Sequence, residues 1–193
     1  GNPQGWMAES DEPTLQFAKE LHNPTQTFRD FHLVPLGTET DGLVGGSPCQ
    51  PFAGCGNRQG TSDPVLGQLI FTQCAAAAAT TAYVFLIENS EHIASFKGPN
   101  ARASDQSFLY MKNHLELSHE VYETAIRESA TRETLVEVLL HYASVAGWAI
   151  VDHMVSDAQH YNSGQSRKRF WALFVRRATE PNRYWRATSS HFR

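Results

Sequence analysis

Tyr83-Val84-Phe85-Leu86-Ile87 is the segment that most narrows the choice of fold. A run of apolar residues this short, mostly β-branched or aromatic, has the length of a strand rather than a helix. It carries apolar side chains on both faces, which predicts a central strand covered on both sides, as in a parallel sheet sandwiched by helices. The rest of the pattern agrees. Gly42-Leu43-Val44-Gly45-Gly46 reads as a second buried strand ending in a glycine-rich turn, and 148–155 and 170–175 read as two more. Ser10 can cap a helix with Pro13 in its first turn and Leu15, Ala18 and Leu21 on one face. Residues 64–79 have helical spacing, 106–128 form a polar helix, and 131–146 place Leu135, Val138, Leu139, Tyr142 and Val145 on one face, with Gly147 to end the helix. The segment 95–105, with Gly98-Pro99-Asn100, reads as a loop. Strands alternating with helices predict an α/β fold.

Composition sets limits on function. The chain has 193 residues, 41% hydrophobic and 19% charged, which suits one globular domain rather than a disordered segment. Its longest apolar stretch, beginning at Cys74, falls far short of the ~20 residues a membrane-spanning helix needs. Residues 1–5 have no basic and apolar regions of a secretory signal, so the expected location is intracellular. No initiator Met is present, and the chain reads as a portion of a longer polypeptide. Three cysteines, Cys49, Cys55 and Cys74, do not make a disulfide framework. Neither the cysteines nor the nine histidines have compact metal-ligand spacing, so no metal site is expected. The net charge of −4 argues against a polyanionic partner, but its distribution does not. Eight Lys or Arg and a single acid, Glu180, lie between 165 and 193, leaving an acidic body with a basic end. That end can face nucleic acid or be a solvated terminus; charge alone favours neither.

Two strand ends carry reactive groups, and strand ends are where open α/β sheets bind ligands. After Leu43-Val44 comes Gly45-Gly46-Ser47-Pro48-Cys49-Gln50-Pro51-Phe52; after Phe85-Leu86-Ile87 comes Glu88-Asn89. A thiol and a carboxyl at the ends of two strands of one sheet can converge on one substrate. A free thiol, with pKa about 8.5, is only a few per cent thiolate at neutral pH, so a nucleophile here needs positive charge nearby. Arg167 and Arg169 can supply it. Taken alone, Cys49 is as well explained as a small buried hydrophobe, and Glu88 as a helix cap or an arginine partner.

The motif around Cys49 is far more specific than a lone cysteine. Gly45-Gly46-Ser47-Pro48-Cys49-Gln50-Pro51-Phe52 resembles the nucleophile loop of DNA cytosine-5 methyltransferases. Phe85-Leu86-Ile87-Glu88-Asn89 resembles that family's Glu-Asn motif, and Gln165-Ser166-Arg167-Lys168-Arg169 its Gln-x-Arg-x-Arg motif, in the family's order. The resemblance covers roughly residues 6–177. It implies a Rossmann-like core that uses S-adenosylmethionine to methylate C5 of a cytosine flipped out of DNA, placing the chain in the nucleus if its source is eukaryotic. It implies that Cys49 attacks C6, Glu88 protonates the N3 edge, Arg169 binds O2, and Arg167 contacts phosphate or braces the loop. Pro48, Gln50, Asn89 and Gln165 would lie against the substrate, Pro48 through its carbonyl. Glu9 would hold the cofactor ribose and Asp30 its adenine amino group, with Phe31 packing on the adenine and Leu69 lining the pocket.

The match has gaps. The family's Phe-x-Gly-x-Gly strand and its final helix are not recognisable, Ala53 and Ser90 replace a usual Ser and Val, and Leu66 lies near a familiar Arg. The expected division is therefore a partial catalytic domain over 1–178, lacking its first strand, and a basic tail over 179–193 that begins a target-recognition region. A catalytically inactive nucleic-acid- or partner-binding homologue and an RNA cytosine-5 methyltransferase are the alternative readings.

Overall fold

A computed structural model of the chain describes residues 5–177 except 10, 23, 25, 29, 162 and 163. The expected cap Ser10 and the tail beyond 177 therefore lie outside the described residues. β1 (Trp6–Ala8) and β2 (Gln26–Phe28) pair in parallel, with Ala8 opposite Phe28, and α1 (Glu12–His22) connects them. Asp11 caps the start of α1, its Oδ2 accepting the N–H and hydroxyl of Thr14 at 3.0 and 2.6 Å. Of the face expected for α1, Leu15 is buried while Leu21 is exposed.

A second sheet contains β3 (Gly42–Gly45), β4 (Val84–Ser90), β5 (Trp148–Asp157) and β6 (Lys168–Arg176) in the order β3-β4-β6-β5. β3 and β4 are parallel, but β6 runs antiparallel to both its neighbours, so the sheet is mixed rather than parallel. The reason is local: the connection from Asp157 to Lys168 is shorter than the dozen or more residues a parallel crossover needs.

One face of this sheet is the core. Phe85 and Ile87 of β4 and Phe170, Ala172 and Phe174 of β6 are buried there with α2 (Leu69–Ala78), α3 (Asp105–His114), α4 (His119–Ser129) and α5 (Leu135–Val145). α2 is apolar almost all round and is buried accordingly. It starts at Leu69, later than its apolar spacing suggested, because Asp63 gathers the N–H groups of Val65 and Leu66 into a preceding turn. The expected helix over 106–128 is two helices: the chain breaks at Glu116, with φ of 53°, and Ser118 caps α4 through the Val121 N–H. A capping box between Thr134 and Glu137 opens α5.

Arg176 ties the ends of this core together. Its guanidinium lies 4.9 Å from the Trp148 ring and donates to the carbonyls of Ala78, Thr80 and Ala82 at 3.1, 2.6 and 2.7 Å. These include carbonyls that the C-terminus of α2 leaves without helical partners. Trp148 in turn donates from Nε1 to the Cys74 carbonyl at 3.1 Å. Arg176→Ala leaves several carbonyls unpaired and is expected to lower unfolding free energy by about 2–4 kcal/mol. Urea titration checks this; a midpoint unmoved from that of the parent protein contradicts it.

The opposite face corrects two expectations. β4 is central, between β3 and β6, and among the described residues it is covered on one side: Phe85 and Ile87 are buried, while Val84 is exposed and Leu86 half-buried. β3, expected as a buried strand, is the edge of its sheet among the described residues, with Val44 74% exposed. Among the described residues, no helix is long and apolar enough to cross a membrane.

Candidate active site

β3 and β4 are parallel and in register from Gly42 opposite Val84 to Gly45 opposite Ile87, so Gly46 leaves the end of β3 beside Glu88, which continues in β4 opposite Trp171 of β6. A Cβ on Gly46 would lie 3.2 Å from Glu88 Oε2. Glycine there lets the loop backbone pass close to the carboxylate. One residue further, Asn89 is wholly buried and donates from Nδ2 to both the carbonyl and the hydroxyl of Ser47, each at 2.9 Å. The Glu-Asn pair thus divides its work: Glu88 faces outward, and Asn89 ties the thiol loop to β4. The amide expected against substrate is engaged with Ser47. Asn89→Ala is expected to cost about 1–3 kcal/mol by orphaning buried Ser47 groups, seen as a lower melting temperature; an unchanged melting temperature contradicts the tie.

Beyond Ser47 the loop turns tightly. The Cys49 carbonyl accepts the N–H groups of Phe52 and Ala53 at 2.9 and 2.7 Å, and Gly60 donates to the Pro51 carbonyl at 2.9 Å. Phe52 is buried edge-on against Phe96. At Gly56 a Cβ would fall 1.8 Å from the Gln50 carbonyl oxygen, so only glycine closes this turn. Cys49 and Pro48 are half-buried, and Gln50 is exposed.

The uncovered sheet face holds a cavity of about 820 Å³. Leu86 and Glu88 of β4 lie opposite Leu173 and Trp171 of β6, and these line it with Met154, Arg167 and Arg169. β5 reaches the same face through a bulge. Trp148 and Ile150 pair with Arg176 and Phe174 on the core side, but after the irregularity Asp152, Met154 and Ser156 pair with Leu173, Trp171 and Arg169 on the cavity side. The extra residue switches the even-numbered positions from one face to the other.

Arg169 Nε lies 2.6 Å from Glu88 Oε1, with the two side chains 24% and 31% exposed. Glu88 was expected to be buried after an apolar strand; instead it is half-buried and ion-paired. The structure thus brings Glu88, Arg167 and Arg169 to one cavity. The cavity lining does not include Cys49, whose loop is held beside Glu88 by the contacts of Gly46 and Ser47. Gln165 is exposed ahead of β6. Sequence reasoning missed Trp171, Met154 and Asp152, whose inclusion depends on cross-strand register and the bulge.

The expected cofactor residues gather elsewhere, at the ends of β1 and β2. Glu9 follows β1, donates its N–H to the Phe28 carbonyl at 3.0 Å, and accepts the Asp11 N–H at 2.9 Å. Asp30 follows β2 and accepts from both the N–H and Nδ1 of His32 at 2.9 and 2.6 Å. Phe31 is half-buried and stacks on His32, which meets Tyr110 edge-on. Leu69 is half-buried at the start of α2. Two carboxylates at adjacent parallel strand ends suit a ligand bearing hydroxyl and amino donors, so these residues fit a nucleoside cofactor. Among the described residues, no cluster of side chains suits a metal ion.

Comparison with known proteins follows the same line. The chain resembles a protein described as a DNA modification methyltransferase encoded within a prophage (E. coli), with TM-score 0.51 and 15% identity over 89% of this chain and 40% of that one. A triple mutant of DNMT2 from Spodoptera frugiperda is similar at TM-score 0.47 and 12% identity, over 91% and 45%. The chain therefore spans less than half the length of either structure. No curated protein matches it. The first likeness shows the fold, an α/β, Rossmann-like core. Residues 7–121, more than half the chain and inclusive of the Cys49 loop and Glu88, match the C-5 cytosine-specific DNA methylases, and the chain belongs to that family.

Proposed function

We propose that this chain is the partial catalytic domain, over 1–178, of an enzyme that methylates C5 of cytosine in DNA through a covalent cysteine adduct. The observation that carries the reading is the juxtaposition of Glu88, paired with Arg169, and the loop bearing Cys49. C5 of an unactivated cytosine is a poor nucleophile. Cys49 thiolate adds to C6, forming a C–S bond, while a proton on Glu88 is shared with N3. The ring becomes an enamine whose C5 can form a bond to carbon. S-adenosylmethionine, when bound, would supply the electrophilic methyl group, its sulfonium S–CH3 bond breaking to leave a neutral thioether. Loss of the C5 proton to water then returns the electron pair to the ring, the C–S bond breaks, and Cys49 leaves as thiolate.

Each charged group has a task. Arg169 and Glu88 satisfy one another. An entering base takes O2 to Arg169 and N3 to Glu88, replacing one ion pair with two hydrogen bonds. The Pro48 carbonyl accepts from the exocyclic amine. Gln50 and Gln165 border the same base, and Arg167 contacts phosphate. A base reaches such a pocket only when it is flipped out of the duplex, at a cost of a few kcal/mol that phosphate contacts can offset. Glu9 and Asp30 hold the ribose hydroxyls and the adenine amine, with Phe31 and Leu69 against the ring. The basic residues over 179–193 begin the surface that selects the target sequence. A DNA substrate puts the protein inside the cell, in the nucleus of a eukaryote.

Methyl transfer from labelled S-adenosylmethionine to duplex DNA and to RNA, each rich in cytosine, tests this. Label in DNA cytosine is expected. Label in RNA alone favours an RNA methyltransferase, and label in neither, with DNA still bound, favours an inactive DNA-binding homologue.

A further inference from the structure

β5 ends on a carboxylate that the chemistry above does not use. Asp157 is buried, and its two oxygens serve three donors: Oδ1 accepts the N–H groups of Gln159 and Arg167 at 3.1 and 3.0 Å, and Oδ2 accepts the Ser166 hydroxyl at 2.7 Å. The Arg167 carbonyl accepts the Ala158 N–H at 3.2 Å. Both backbone polar groups of Arg167 are therefore fixed, and the loop from 158 to 166 is closed at its neck. The Ser166 hydroxyl, followed by the Gln159 N–H, holds the carboxyl below the usual carboxylate range.

The neighbouring cations differ in what they are free to do. Arg169 is spent on Glu88, whereas the Arg167 guanidinium makes no ion pair among the described residues, though it lines the cavity with Ala158 and Tyr161. Asp157 draws on neutral donors, so it anchors the Arg167 backbone without quenching the guanidinium charge. We propose that Asp157 is a positioning residue that holds Arg167 at the cavity as the cation receiving a backbone phosphate of the DNA. The assignment rests on the function proposed above. A carboxylate suits this task better than an amide side chain, because both of its oxygens accept.

The test is a double-mutant cycle read by fluorescence anisotropy on labelled duplex DNA at several salt concentrations. Arg167→Gln is expected to weaken binding roughly five- to tenfold and to flatten the salt dependence by about one phosphate contact. Asp157→Ala should do nearly the same alone and add little in the Arg167→Gln background, because both changes remove one contact. Ser166→Ala, which loses one donor and keeps the carboxylate, should fall between, guarding against a variant that merely unfolds. Full additivity of Asp157→Ala and Arg167→Gln, or an unchanged salt slope in Asp157→Ala, overturns the proposal. If Arg167→Gln weakens binding and Asp157→Ala does not, positioning fails while the phosphate contact stands. If Arg167→Gln itself changes nothing, the phosphate reading fails and the positioning claim fails with it.

Discussion

Cys49→Ser is expected to leave the protein folded and to reduce methyl transfer by at least roughly 10⁴-fold, as loss of a covalent nucleophile does in enzymes whose groups act as a unit. The bonds that shape the loop at this position come from the Cys49 carbonyl, which accepts from Phe52 and Ala53, and they do not involve the thiol. Replacing sulfur by oxygen therefore keeps the turn. It also exchanges a nucleophilic sulfur for a hydroxyl, and a neutral hydroxyl adds poorly to C6. Cys55 gives the contrast. It is exposed, six residues along the same loop, and Cys55→Ser is expected to retain the parental rate within about twofold, as surface changes away from a site usually do. Cys74 is buried in α2, where burial pushes its thiol far above the usual range and away from nucleophilic use. Single-turnover transfer of labelled methyl groups measures all of these, and a Cys49→Ser rate within tenfold of the parent contradicts the covalent route.

Glu88→Gln is expected to lower the rate of transfer by about 10²–10⁴-fold, the range for a positioned general acid. DNA binding should change little, because the phosphate contacts come from other residues. The substitution preserves shape beside Gly46, which leaves no room for a larger side chain without movement. What it removes is the carboxyl group and its pair with Arg169. That pair sits on a half-exposed sheet face, so it contributes little to stability, and the folded protein should melt within a few degrees of the parent. A loss in DNA affinity as large as the loss in rate would instead assign Glu88 to binding.

Both predictions concern residues that could be found in the sequence, and the reason is chain-local. Cys49 stands in a glycine- and proline-framed octapeptide, and Glu88 directly follows the one uninterrupted apolar strand. Neither depends on what the chain meets in space. The mixed character of the sheet was less legible, although the short link before Lys168 hints at it. The bulge between Ile150 and Asp152 left no periodic mark, yet it decides which side chains of β5 enter the cavity. The uncovered face was hidden for a different reason. An apolar run predicts the environment a strand prefers, and β4 has Leu86 and Val84 on a side that no helix among the described residues covers. Asn89 could be placed beside Glu88 by spelling, but its inward turn toward Ser47 is fixed by strand alternation. Asp157 carried no motif at all; its role emerges only where β5 and β6 meet.

Trapping the reaction on duplex DNA containing 5-fluorocytosine, in the presence of S-adenosylmethionine, and then mapping the linked peptide by mass spectrometry addresses the central claim most directly. Fluorine cannot be lost as the C5 proton is, so the sulfur–C6 bond should persist. The added mass of the methylated fluoro-nucleotide on the peptide spanning Cys49 is the predicted result. The same mass on a peptide carrying Cys55 or Cys74, or methylated DNA with no linked peptide, would contradict it.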